Sequence, residues 1–238
     1  VPVIAVVSPY FDYGGPDGDA STPTNIVSAG RGEFIYENFV PWGYAFAQVA
    51  VFGTEESTGC FDYRGHGEQL GIDAAVTWLG EQEWSNGNVG LYGKSYEGAT
   101  QWEAALAGNP YLKTIVPISG TTSTKTLLFK NGSAEARSQV MHGAYFINIV
   151  DFDESDSEHV CPDVADGFTR GERTYLEPRI DPDMNYWNER DYRQRSIDNY
   201  QGSVYFIQGL QDWNVDSHMI FPLYQQMKDA GFDVKGMF

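Results

Sequence analysis

Ser95 has the local setting of a serine nucleophile. It follows the apolar run 89–93 and Lys94, and a helical pattern begins at once with Tyr96-Glu97-Gly98-Ala99. A serine on so sharp a strand-to-helix turn forms a nucleophile elbow. Small residues flank it because bulky neighbours would clash, and the turn lifts the hydroxyl off the sheet edge. The amide of Tyr96 then lies at a helix N-terminus, where it can stabilise an oxyanion. The strict five-residue form needs glycine at position 97, which is Glu97 here; the second glycine comes one later, at Gly98. An ordinary strand-turn-helix with a serine cap is the competing reading.

A serine hydroxyl needs a base, and the base needs a carboxylate to orient it. In a sheet of this kind the carboxylate follows a later strand and the histidine follows the carboxylate. Asp212, in Gly209-Leu210-Gln211-Asp212-Trp213-Asn214-Val215, comes just after the apolar run 204–209. That is the carboxyl edge, where such sheets place their sites; a turn or cap residue is the alternative for Asp212. The four histidines fit less well. His66 precedes Ser95 in a glycine-rich turn, Arg64-Gly65-His66-Gly67, and reads as structural. His142 and His159 fall in an acidic insertion, and His218 follows Asp212 by six residues, too soon for a further strand to intervene. The expected position lies just past Phe238.

The elements that must hold these residues alternate. Apolar runs of strand length occupy 3–7, 45–52, 89–93, 114–119 and 204–209 and are nearly continuous, as in strands buried on both faces. Between them, Ile72, Val76 and Leu79, then Ala99, Trp102 and Leu106, then Ile220, Leu223 and Met227, mark one face of three helices. The class is α/β, with a mostly parallel sheet wrapped by helices. From Thr121 to about Tyr200 no buried strand is evident, and residues 151–191 carry 13 acidic and 4 basic residues. A structureless loop of that length inside a compact domain is improbable, so a helical cap is expected. The division is core 1–120, cap 121–200 and core 201–238. Val1 opens directly on an apolar run and Phe238 stops inside a strand-like approach, so a piece of a longer protein is expected.

Composition removes other classes. With 42% hydrophobic and 15% aromatic residues the chain is neither disordered nor fibrous. A net charge of −18 repels phosphate backbones, which argues against nucleic acid as a partner. No apolar run approaches the ~20 residues of a membrane-spanning helix. Cys60 and Cys161 are too few for a cysteine metal site and allow one disulfide or none. The acidity would suit a salt-rich habitat or a secreted enzyme, and a cytoplasmic location stays open.

Longer stretches then carry a resemblance. Val3-Ile4 through Ser8-Pro9-Tyr10, the segment Thr77-Trp78-Leu79 through Trp84-Ser85-Asn86-Gly87-Asn88 to the Ser95 elbow, Tyr186-Trp187 with Arg190-Asp191-Tyr192, and the Asp212 loop are similar to one family. The chain resembles the catalytic domain of the Xaa-Pro dipeptidyl-peptidase family of serine hydrolases, which includes cocaine-esterase-like enzymes and α-amino-acid ester hydrolases. The longer elbow is a trait of that family. The resemblance implies an α/β-hydrolase fold with a helical cap, Ser95 as acylated nucleophile and Asp212 as triad acid. Tyr10 would donate its phenol to the oxyanion beside the Tyr96 amide, and no metal or organic cofactor is implied. It also implies a catalytic histidine past Phe238, and further domain sequence outside this chain. Release of N-terminal Xaa-Pro dipeptides requires carboxylates for a free α-ammonium, with Glu97 and the acidic residues Asp151, Asp153, Glu154 and Asp156 as candidates. A proline pocket requires flat apolar walls, with Trp187 and Trp213 as candidates. A related carboxylesterase or α-amino-acid ester hydrolase is the alternative, and an inactive fragment lacking the histidine is a second.

Overall fold

Apolar runs this continuous cannot leave either face in water, and in the computed structural model they lie side by side in one sheet. The structure describes residues 1–11, 32–55, 57–131, 133–134, 160–162, 164 and 185–238. The strands are β1 (Val3–Ser8), β2 (Ala45–Ala50), β3 (Val89–Lys94), β4 (Leu112–Ile118), β7 (Ser203–Ile207) and β8 (Val234–Met237). Their order is β2-β1-β3-β4-β7-β8, and every pairing within this sheet is parallel. A short antiparallel hairpin, β5 (Phe129–Lys130) with β6 (Ser133–Ala134), stands apart, inside the segment expected to be mostly helical.

The helices are α1 (Glu33–Phe39), α2 (His66–Glu81), α3 (Tyr96–Ala105), α4 (Thr124–Leu128), α5 (Asn185–Glu189), α6 (Arg193–Asn199) and α7 (Ile220–Asp229). All nine stripe residues expected on α2, α3 and α7 are buried. They meet the alternate residues of one sheet face, Val3, Ala5, Val7, Leu91, Ile115 and Phe206 among them. Trp102 of α3 packs on Phe206 of β7 at 5.3 Å, and Phe206 meets Tyr224 of α7 at 5.7 Å. Fully burying one such side chain is worth about 1.5–3 kcal/mol, so the shared face carries much of the stability.

The chain runs from β1 outward to β2, then returns to β3 on the other side of β1. The strand order therefore reverses at β1/β3, and the loops beyond their carboxyl ends diverge and leave a crevice. Ser8 and Ser95 lie at that crevice.

The described parts of segment 121–200 are α4, the hairpin, α5 and α6, so the extent of a cap, and with it Asp151, Asp153, Glu154, Asp156, His142 and His159, lies outside the described residues. α6 packs against α3: Ser196 donates to the Trp102 carbonyl at 3.5 Å and Asn199 to the Leu106 carbonyl at 2.9 Å. A disulfide joins Cys60 to Cys161 across 101 residues of sequence, next to a parallel bridge between Phe61 and Val160. It ties the inserted segment to the turn that enters α2.

That turn is clasped a second time. Asp62 accepts from the Gly67 amide at 2.7 Å, and Arg190 donates to the Asp62 and Tyr63 carbonyls at 2.8 and 3.0 Å. A Cβ on Gly65 would stand 2.3 Å from the Arg190 guanidinium, so glycine is required there. Inside the turn Arg64 is buried. Its Nε donates to Glu103 of α3 at 3.0 Å, and its backbone amide donates to Glu68 of α2 at 2.8 Å. One guanidinium between two buried carboxylates leaves a negative charge uncompensated. Burial pushes Glu103 well above the ordinary carboxylate range; the neighbouring Glu68 adds to this, while Arg64 and Arg190 oppose it. The second Glu103 oxygen is buried without a hydrogen-bond partner among the described residues.

Two predictions follow from these ties. Replacing both cysteines by alanine releases a loop whose closure is worth about 4.7 kcal/mol in the chain-entropy account. A fall in melting temperature of roughly 10 °C is expected, and an unchanged melt would mean the bridge adds no stability. Glu103 contributes a pH slope. Its folded pKa lies above its unfolded one, so its contribution is complete below about pH 4.3 and is lost as pH rises through the raised value. Urea midpoints of the native protein should therefore decline between about pH 5 and 8 more steeply than those of Glu103→Gln. Parallel slopes would place the retained proton elsewhere.

Candidate active site

β3 delivers Ser95 to the crevice in a conformation that side chains seldom adopt, φ 63° and ψ −117°. Neighbours over-determine it. The Ser95 amide donates to the Ile118 carbonyl at 2.9 Å, and its own carbonyl accepts from Gly98 and Ala99 at 3.1 and 3.0 Å. The flanking glycines are required by contact. A Cβ on Gly93 would lie 2.4 Å from the Glu97 Cβ, and one on Gly98 would lie 2.8 Å from the Ile118 carbonyl and 2.9 Å from the Gly120 Cα. α3 thus crosses the end of β4 backbone to backbone at position 98. Position 97 faces the other way and has room for a side chain, which accounts for the displaced second glycine. Ser95 is half-buried, and among the described residues no side chain hydrogen-bonds its hydroxyl.

Tyr96 follows the serine, and Tyr10 packs on Tyr96. Tyr96 is the first residue of α3, so its amide has no partner within the helix. Tyr10 follows the end of β1, and its path is set by Ser8, which accepts from the Tyr10 amide at 3.2 Å and donates to Glu97 at 2.9 Å. The Tyr10 ring meets the Tyr96 ring edge-on at 5.9 Å. The Tyr96 phenol donates to Glu68, with both carboxylate oxygens at 2.8–2.9 Å. Burial, reinforced by the charges of Glu68 and Glu103, pushes the Tyr96 phenol well above its ordinary pKa, so it remains a neutral donor.

Asp212 lies on the loop after β7. Its Oδ1 accepts from the Asn214 and Val215 amides at 3.0 and 2.9 Å, and its Oδ2 has only a 3.5 Å approach from Gln208. One oxygen is committed to the turn and the other is available. Lateral bonds continue past the strand ends, from Ser95 to Ile118 and from Ser119 to Ile207 at 2.8 Å. The Ser95 and Asp212 loops therefore share one edge, two strand spacings or about 10 Å apart. His66 is exposed at the start of α2. His218 sits 3.9 Å from Asp216, which pairs with Lys130 of the hairpin. Partial burial and the Lys130 charge lower the His218 pKa against the pull of Asp216. Among the described residues no histidine hydrogen-bonds Ser95 or Asp212.

The three candidate substrate contacts fall in different places. Glu97 is buried and turned toward Ser8. Trp187 is 1% exposed and packs edge-on against Phe129 at 5.1 Å, inside the α4–hairpin–α5 unit. Trp213 is 64% exposed, next to Asp212. The sequence reading passed over Arg64, Glu68, Glu103 and Arg190, all buried charges beneath the site. One signal was present. Glu103 stands seven residues after Tyr96, on the stripe of α3 that faces inward, and all ten residues of α3 are buried.

With this geometry in hand, comparison with known proteins is specific. The whole chain, residues 1–238, matches the family described as X-Pro dipeptidyl-peptidase (S15 family). A putative Xaa-Pro dipeptidyl-peptidase of Streptomyces avermitilis is 31% identical over 235 residues, covering 90% of this chain and 33% of its own. Cocaine esterase of a Rhodococcus species is 33% identical over 113 residues, covering 43% of this chain and 19% of its own. The solved structure of an α-amino acid ester hydrolase superposes with a TM-score of 0.66 at 19% identity, over 96% of this chain and 41% of that one. Likeness at that identity concerns the fold alone, and the fold is the α/β-hydrolase fold. The chain spans about a third of the length of the curated relatives it matches. From the match over its full extent, the chain belongs to the X-Pro dipeptidyl-peptidase (S15) family.

Proposed function

We propose that the protein is a serine hydrolase that releases N-terminal Xaa-Pro dipeptides from peptides through an acyl-enzyme at Ser95. The observation that carries this reading is the strained Ser95 backbone at the sheet's switch point, followed by Tyr96, on whose ring Tyr10 packs. In this reading the Ser95 Oγ attacks the carbonyl carbon of the proline residue and passes its proton to a histidine. The resemblance puts that histidine after β8, on the edge shared by Ser95 and Asp212. The free Oδ2 of Asp212 holds the imidazole, while the turn amides on Oδ1 keep the carboxylate in place. The Tyr96 amide and the Tyr10 phenol receive the charge that develops on the carbonyl oxygen. The imidazolium returns its proton to the departing amine, and water then hydrolyses the acyl-enzyme.

On substrate choice, the exposed Trp213 offers a flat apolar wall beside the acid loop. Glu97 and Trp187 act as supports in this reading, since each is buried against a partner within the fold. A second reading, hydrolysis of esters with the same machinery, is favoured by the likeness to cocaine esterase.

Full-length protein assayed on an Ala-Pro anilide and on a simple aryl ester separates the two. Anilide cleavage that falls by at least about 10⁴-fold in Ser95→Ala is the expected result. Ester cleavage alone would move the chain to the esterase reading, and turnover that survives Ser95→Ala would remove the mechanism. Tyr10→Phe deletes one oxyanion donor and should lower kcat by about 10²–10³-fold with little change in KM. A loss confined to KM would assign Tyr10 to substrate binding.

A further inference from the structure

We propose that Glu68 is a positioning residue for the oxyanion site, holding the Tyr96 ring so that the Tyr96 amide and the Tyr10 phenol converge beside Ser95. This rests on the Ser95 reading above and adds to it a residue that never touches substrate. Glu68 is 1% exposed, in the first turn of α2, and stands 28 residues before Tyr96 in sequence. Both its oxygens lie within hydrogen-bond reach of the Tyr96 phenol, and Oε2 is itself held by the Arg64 amide at 2.8 Å. The Arg64 guanidinium lies 5.2 Å from the centre of the Tyr96 ring, and Phe61 and Tyr63 each stand 6.3 Å from it. Tyr10 packs against the same ring at 5.9 Å. The ring is thus pinned at its tip by Glu68, walled on its flanks, and in contact with the other donor.

A purely structural filler has no need of a carboxylate. A buried carboxylate is costly, and here that cost is offset by the two donors it accepts from, the Arg64 amide and the Tyr96 phenol. What the carboxylate adds is direction. An aromatic ring held only by apolar contacts can tilt, whereas a phenol bound at its oxygen cannot move without breaking that bond. A tilt of the Tyr96 ring would shift the wall on which Tyr10 packs, 5.9 Å away. Tyr10 would follow through the ring contact. The effect is therefore expected on the chemical step, with substrate binding left alone.

The test uses the full-length enzyme and the substrate that it turns over. Tyr96→Phe deletes the phenol oxygen and keeps the ring. Glu68→Met keeps the volume and deletes the acceptor, and Glu68→Gln keeps one acceptor oxygen. Tyr96→Phe and Glu68→Met should each lower kcat by about tenfold, less than the loss on deleting a donor, with KM within about twofold. Both should weaken an aryl boronic acid, whose adduct with Ser95 places an oxygen in the oxyanion site, by a similar factor. Glu68→Gln should recover most of the rate, and the Glu68→Met/Tyr96→Phe double variant should be no slower than either single one. Lower melting temperatures with kcat and boronate affinity unchanged, or losses that multiply in the double variant, would overturn the proposal and leave Glu68 a support of the fold. If Glu68→Met fails to fold, Tyr96→Phe decides alone. Turnover surviving Ser95→Ala would instead sink the Ser95 reading, and this proposal with it.

Discussion

The buried charge of Arg64, which cannot reach water, fixes the positions of the elements around Ser95. It enters from the turn ahead of α2, is met by Glu103 from the middle of α3, and has its own amide bonded to Glu68. Deleting the Glu103 acceptor would leave the buried guanidinium without that hydrogen-bond partner, at a cost of about 1–3 kcal/mol. α2 and α3 are therefore held in one register relative to each other. A helix packed only through Ile72, Val76 and Trp102 could shift by part of a turn at little cost. A helix that must also present Glu103 to a guanidinium cannot. Since Ser95 is the residue that joins β3 to α3, its turn inherits that register.

The second constraint is backbone contact. Gly98 and Gly120 approach so closely that a Cβ on either would overlap the other. This brings α3 down onto the end of β4, where the Ile118 carbonyl receives the Ser95 amide. Strain at one residue is tolerable when several bonds and contacts determine it together. The same geometry relocates a glycine from position 97 to position 98 and frees position 97 for Glu97, which reaches across to Ser8 and steadies the strand end carrying Tyr10.

The inserted segment is joined to the sheet at the same turn. The disulfide from Cys161, the Arg190 bonds to Asp62 and Tyr63, and the Tyr192 phenol on the Arg64 carbonyl at 2.7 Å all converge on residues 60–64. Burial drives the Tyr192 phenol well above its ordinary pKa, so it too remains a neutral donor.

Much of this was legible in the residues. Strand and helix order, the three helix stripes, the sharp turn at Ser95 and the loop at Asp212 are local patterns, set by periodicity and turn chemistry over a dozen residues or fewer. They appear in the structure within a few residues of where the pattern places them. The inward turn of Glu97, the burial of Trp187, the pairing of Cys60 with Cys161 and the ring of charges around Arg64 were not legible. Each depends on a partner far away in sequence: Ser8 is 89 residues from Glu97, Glu103 is 39 from Arg64, and Arg190 is 127 from Tyr63. Taken alone, a charged side chain on a helix reads as solvent-exposed, because burying an unpaired charge is prohibitive. Only the assembled fold supplies the opposite charge that makes burial possible. The sequence by itself therefore determined the elements and the Ser95 turn, and the tertiary structure decided which buried polar groups stand behind it.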